Sequence, residues 1–81
     1  MELYAIFDVV AGIFGDPILC DSDALATRFF NASLGDPSIP DYVRNDSVLY
    51  HLGHFNRETG EITQDTPAYI VARGTAVTIR D

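Results

Sequence analysis

The stretch "ELYAIFDV" carries Leu3, Ala5 and Phe7 on one alternating set of positions and Tyr4 and Ile6 on the other. A strand that is apolar on both sets is covered on both faces, so residues 2–9 read as a central strand. "VVAGIFGDPILC" follows with Gly12, Gly15 and Pro17. The chain is expected to turn near Ala11-Gly12 and return through Ile13 to Cys20 as an interrupted strand, with Pro17 at an edge or bulge. The period then changes. From Asp23 to Leu34, Leu25, Ala26, Phe29 and Phe30 recur at helical spacing and are expected to lie on the sheet, with Thr27, Arg28 and Asn31 facing outward. Asp21, Ser22 and Asp23 offer capping oxygens and negative charge at the start, Gly35 offers a C-cap, and the two prolines of "GDPSIPDY" cannot continue the helix.

"SVLYHLGHF" (47–55) is the next strand, with Val48, Tyr50 and Leu52 on one face and Leu49, His51, Gly53 and Phe55 on the other. "FNRETGEI" (55–62) is a hairpin loop with Gly60 in the left-handed region, leading the chain back through Ile62. A final pair, "AYIVAR" and "AVTIR", is separated by Gly74-Thr75, which suits a type II′ turn. The register this turn implies pairs Ala72 with Val77 and Ile70 with Ile79 on a buried face. It turns Tyr69, Val71, Arg73, Thr78 and Arg80 the other way, with Tyr69 opposite Arg80.

These elements predict one α+β domain over residues 1–81: an antiparallel or mixed sheet of about four to five strands with one helix packed across it, in the order ββαβ followed by short β segments. Phe7, Phe29 and Phe30 are the aromatics best placed for its core. At 81 residues the chain is near the size where only roughly 60% of the unfolded surface is buried and stability is marginal. A homodimer or higher homo-oligomer, which would also hide exposed strand edges, is therefore expected.

Twelve acidic residues stand against five basic ones, all arginine, for a net charge of −7. That balance repels phosphate at long range and counts against non-specific nucleic-acid binding, while leaving room for a local basic face. Cys20 is alone, so no internal disulfide and no cysteine-based zinc site can form, which fits a reducing compartment. The first ten residues have an acid at position 2, no basic lead and an apolar run broken by Asp8, and so make neither a signal peptide nor a membrane span.

Candidate chemistry is sparse. His51 and His54 are three apart in a strand, which by alternation sends them to opposite faces and argues against a shared metal. Cys20 beside Ile18 and Leu19 reads as a small core hydrophobe. The Asp21/Asp23 and Glu58/Glu61 pairs sit where a cap and a turn already explain them. No phosphate-cradling glycine motif is present. The expectation is a protein that is not an enzyme and needs no cofactor or metal. What remains is binding: Tyr4, Tyr50, Phe55 and Tyr69 are sheet-borne aromatics of the kind that stack on single-stranded nucleic acid or fill an oligomer interface, and Tyr69 with Arg73 and Arg80 defines the least acidic face.

Several stretches together resemble one family. "LYAIFDVVAGIFGDP", the helix opening "DSDALATRFF", the loop "GDPSIP" and "NDSVLYHLGHFNRETGEI" are similar, in order and spacing over about residues 3 to 62, to the small nonstructural protein of gokushovirus-type microviruses, which are single-stranded DNA bacteriophages. The resemblance implies a non-catalytic accessory in phage genome replication, located in the cytoplasm of the infected bacterium. Some members are described as DNA-binding, which makes single-stranded DNA and a host or phage replication protein the expected partners. The acidic surface suits a second reading, a module that binds a host or phage protein.

Overall fold

A computed structural model describes residues 1–74, and it has the α+β architecture expected from the pattern. Strand β1 (Glu2–Asp8) is central. On one edge it pairs antiparallel with two short segments, β2 (Ile13–Phe14) through Phe7↔Phe14 and β3 (Ile18–Cys20) through Leu3↔Leu19. Pro17 lies in the gap between the two, where its missing N–H removes no ladder bond. The turn before β2 is tightly tied: the Asp8 carboxylate accepts from the Val10 and Ala11 amides at 2.9 and 3.0 Å, and Gly12 takes φ +74°.

Helix α1 runs from Asp23 to Leu34, as expected, with Ser22 Oγ accepting from the Leu25 amide at its start. Ala26 and Phe30, one turn apart, are fully buried against Tyr4 and Leu49, and Leu34 continues the same line. Leu25 and Phe29 are 43% and 48% exposed, contrary to expectation. They sit about 100° around the helix from the 26–30–34 line, and the sheet beneath reaches only that line.

Between α1 and a short helix α2 (Asp41–Asn45) the chain wraps around Arg44, which is buried. Its guanidinium donates to the carbonyls of Leu34 (2.6 Å), Ile39 (2.7 Å) and Asp36 (2.9 Å) and pairs with Asp41 at 3.0 Å. One side chain thus closes the α1 C-terminus and holds the proline-containing loop, the role a cation has at carbonyls left without helical partners.

Strand β4 (Ser47–Phe55) pairs antiparallel with β1 on one side and with β5 (Ile62–Arg73) on the other. The loop between them is the expected hairpin, with Gly60 at φ +77° and Asn56 Oδ1 accepting from the Glu58 and Thr59 amides. Beyond it one expectation fails and another falls on residues that are not described. The return through Ile62 and the "AYIVAR" segment form one strand of 12 residues laid along β4 rather than separate short pieces. The partner segment of the predicted second hairpin, with Val77, Thr78, Ile79 and Arg80, lies outside the described residues.

The predicted faces of β5 also change. Leu49 is opposite Ala72 while its neighbour Tyr50 is opposite Ile70, so Val71 is an extra residue in the ladder. Tyr69 consequently stands on the helix side with Val71 and Ala72, while Ile70 and Arg73 stand on the open side.

Core packing is one-sided. Tyr4, Ala26, Phe30 and Leu49 are fully buried between helix and sheet, joined by Ile6, Ile18, half-buried Cys20, Leu34, Val71 and Ala72. Burying Phe30 or Leu49 contributes about 2–3 kcal/mol each. Phe7 is not part of this core; it faces the opposite side. Among the described residues no helix is long and apolar enough to cross a membrane.

Candidate functional site

Two places concentrate unusual side chains, one on each face of the sheet. On the helix side, β1 presents Glu2, β4 presents His51 and His54, β5 presents Asp65, and the first turn of α1 presents Asp23. The expectation that the histidines diverge is overturned. On β1, Leu3 and Tyr4 are adjacent, but their β4 partners are Gly53 and His51, so Leu52 is an extra residue that shifts the alternation. His51 and His54 therefore reach the same carboxylate: His51 Nε2 to Glu2 Oε1 at 2.7 Å and His54 Nδ1 to Glu2 Oε2 at 2.9 Å. On β5, four residues, 65 to 68, bulge opposite Leu52, because Pro67 has no N–H for the ladder. The bulge delivers Asp65 Oδ2 to His51 Nδ1.

His51 is 6% exposed with a carboxylate on each ring nitrogen. A neutral imidazole has one N–H and would leave one lone pair facing a carboxylate, so the arrangement calls for the imidazolium. Burial works to lower the pKa of His51, but the hydrogen bonds to Glu2 and then Asp65 outweigh it and raise the value above the ordinary 6.5. Glu2 is held below the usual carboxylate value by the hydrogen bonds from His51 and then His54. The ring of Tyr69 stacks on His51 with centroids 4.6 Å apart, and Tyr4 meets it edge-on at 5.2 Å. Both phenols donate to the Asp23 carboxylate, Tyr4 to Oδ1 at 2.5 Å and Tyr69 to Oδ2 at 2.9 Å. Burial, then the Asp23 bond, raises both hydroxyls, that of Tyr69 to about 12.

Chemically this cluster is closed on itself. Among the described residues no buried polar side-chain atom lacks a hydrogen-bond partner, and no three ligands are placed to hold one metal ion. Its effect is to tie β1, β4, β5 and α1 together at one end of the sheet.

The open face is different in kind. Phe7, Phe14 and Tyr50 form a ring cluster with centroids 4.7 to 5.8 Å apart. Beside it lies a shallow apolar hollow of about 420 Å³ lined by Leu3, Ala5, Phe14, Gly15, Pro17, Leu52, Ile62 and Gln64. Gln64 is the only polar side chain among them, and among the described residues no acid lines the hollow.

The candidate residues are divided between these places. Tyr50 is in the ring cluster and Arg73 is on the same open face, opposite Val48. Phe55 pairs with Ile62 at the hairpin base, where its backbone also bonds Met1. Tyr69 is on the other side, bonded to Asp23, so the expected Tyr69–Arg73 face does not form, for the reason that Val71 breaks the alternation. Arg80 lies outside the described residues. The sequence reading missed Glu2, Tyr4 and Asp65 as partners of the histidines. Gly53 inside a strand pattern and Pro67 in β5 were the signals that alternation would break there.

A family model described as Phage ORF5 protein matches residues 1–77. No curated protein and no solved structure matches the chain.

Proposed function

The chain belongs to the Phage ORF5 protein family, and from that premise we propose that it is a non-catalytic accessory protein of a single-stranded DNA phage of the gokushovirus type, serving genome replication in the host cytoplasm by associating with protein through its open sheet face. The observation that carries this reading is the contrast between the two faces. On the helix side Glu2, His51, His54 and Asp65 bond one another, whereas the other face offers rings and an apolar hollow with no acid among its described lining residues, in a chain of net charge −7. Such a face associates by burying apolar surface, and the acids elsewhere discourage non-specific contacts.

A second reading, single-stranded DNA stacked on Phe14 and Tyr50 beside Arg73, is favoured by the aromatic cluster. The dispersal of the other described arginines weighs against it. Arg28 is on α1, Arg57 is in the hairpin loop, and Arg44 is buried among carbonyls.

The test is a phage carrying Phe14→Asp. Phe14 is 45% exposed in a two-residue edge strand, so the fold should survive, as circular dichroism of the purified variant would check. The proposal expects reduced accumulation of viral single-stranded DNA in infected cells, and normal accumulation would refute it. Fluorescence anisotropy with labelled single-stranded DNA at two salt concentrations separates the readings. Binding that weakens linearly in log–log form with salt would favour DNA, and no binding at low salt favours protein association.

A further inference from the structure

His51 sits between two carboxylates that are anchored very differently. Glu2 belongs to the central strand, where its backbone is paired with Cys20 on one side and His54 on the other. Its carboxylate also receives a second bond, from His54. Asp65 opens the four-residue bulge of β5. The ladder with β4 pairs Gly53 with Gln64, resumes at His51 with Tyr69, and has no pair for residues 65 to 68. Thr66 and Pro67 are exposed. Among the described residues the bond between Asp65 and His51 is the one side-chain hydrogen bond that ties this bulge to the rest of the protein.

The groups that face the imidazole are Glu2 and Tyr4 from β1 and Asp65 and Tyr69 from β5. His54 lies behind Glu2, and Asp23 of α1 lies behind the two phenols. Satisfying both carboxylates takes an N–H on each ring nitrogen. After loss of one proton the ring keeps a single N–H, and its other nitrogen presents a lone pair to a carboxylate. With His51 only 6% exposed, water does little to relieve that contact. The strand that carries Glu2 is paired on both edges, and His54 still holds its carboxylate. Asp65 has neither restraint. The retained N–H therefore stays with Glu2, and the repelled partner is Asp65.

We propose that Asp65 and His51 form a one-proton latch, in which the imidazolium holds the 65–68 bulge closed on the sheet and loss of the Nδ1 proton to solvent releases the bulge while β1 stays bound through Glu2. Opening uncovers the imidazole and frees one carboxylate on the helix side. The carboxylates raise the folded pKa of His51 above 6.5, so the latch is closed at pH 6.5 and below and opens as pH rises through the folded value. It lies on the face opposite the apolar hollow and does not depend on what that face binds.

Carbon-detected NMR, which amide exchange does not broaden, tests the latch at about pH 5.5 and about pH 9, on either side of the transition. Backbone order parameters of residues 65–68 should be about 0.85 at the lower pH and below about 0.6 at the higher, while Tyr4, Ala5 and Leu49 stay rigid at both. Asp65→Asn should keep the bulge ordered at both pH values, because an amide can accept from an N–H or donate to a lone pair. His51→Phe should leave the bulge mobile at both. A wild-type bulge equally ordered at both pH values would overturn the latch, as would loosening shared equally by β1 and β4. So would an Asp65→Asn variant that keeps the wild-type pH response, or a folded His51→Phe variant with an ordered bulge. Should His51→Phe fail to fold, the wild type and Asp65→Asn decide the matter.

Discussion

Replacing His51 by Phe removes two charge-assisted hydrogen bonds while keeping a ring against Tyr69 and Tyr4. A bond of this kind contributes about 1.5–3 kcal/mol, and breaking one side of a buried ion pair costs about 3–5 kcal/mol because the remaining charge is stranded. Here the stranded groups are Glu2 and Asp65, whose side chains are 31% and 28% exposed and regain some water. The net loss should therefore be about 2–4 kcal/mol, which in a domain of this size lowers Tm by roughly 10–25 °C.

The pH dependence is more diagnostic than the magnitude. The folded pKa of His51 is raised above its ordinary 6.5, so its contribution is fully present below pH 6.5 and is lost as pH rises through the folded value. The folded pKa of Glu2 is depressed below its ordinary 4.5, so its contribution is present above pH 4.5 and is lost as pH falls through the folded value. Between about pH 4.5 and 6.5 both are in place, and wild-type stability should be greatest there. Urea unfolding followed by circular dichroism at pH 5.5, 7 and 9, with flanking pH values chosen on that basis, should show wild-type stability falling toward pH 9. His51→Phe should lose most of that alkaline slope. A wild type as stable at pH 9 as at 5.5, or a variant that keeps the wild-type slope, would refute the imidazolium between two carboxylates.

Gly60 has φ +77° with open space around it, so Gly60→Val should cost roughly 1–2 kcal/mol from backbone strain alone, and an unchanged Tm would contradict the hairpin geometry. At Gly53 the obstacle is steric: a Cβ there would run into the Thr63 carbonyl across the ladder, so Gly53→Ala should destabilise by about 2–3 kcal/mol in urea unfolding. Arg44→Ala leaves the carbonyls of Leu34, Asp36 and Ile39 without their donor and should cost about 2–3 kcal/mol, with faster amide hydrogen exchange across residues 35–41. Wild-type exchange in that loop would show that the guanidinium does not hold it.

The helix bounds, the interrupted return strand at Pro17 and the Gly60 hairpin were legible because each is written locally, in caps, prolines and a left-handed glycine. The candidate site was not legible, because period-two reasoning assumes an unbroken ladder. The mistaken strand faces trace to extra residues: Leu52 brings His54 round to join His51, Val71 separates Tyr69 from Arg73, and residues 65 to 68 carry Asp65 to the imidazole. Gly53 hinted that a bulge was near, yet which neighbour becomes the extra residue depends on pairing with β1, and that is a long-range property.

The same irregularities have a consequence for the open face. By collecting Glu2, His51, His54 and Asp65 on the helix side, the bulges around Leu52 leave Leu3, Leu52, Ile62 and Gln64 on the other side with no charge among them. A regular ladder would have put His54 among those residues, opposite His51, and with it a pull on the nearby acids. The polar cluster and the apolar hollow are therefore two results of one shift in register. Deleting Leu52 would leave His51 and His54 two positions apart in a regular ladder, still opposite Tyr4 and Glu2, so the alkaline dependence of stability should persist while the hollow loses an apolar wall; a folded deletion variant without that dependence would refute Leu52 as the extra residue.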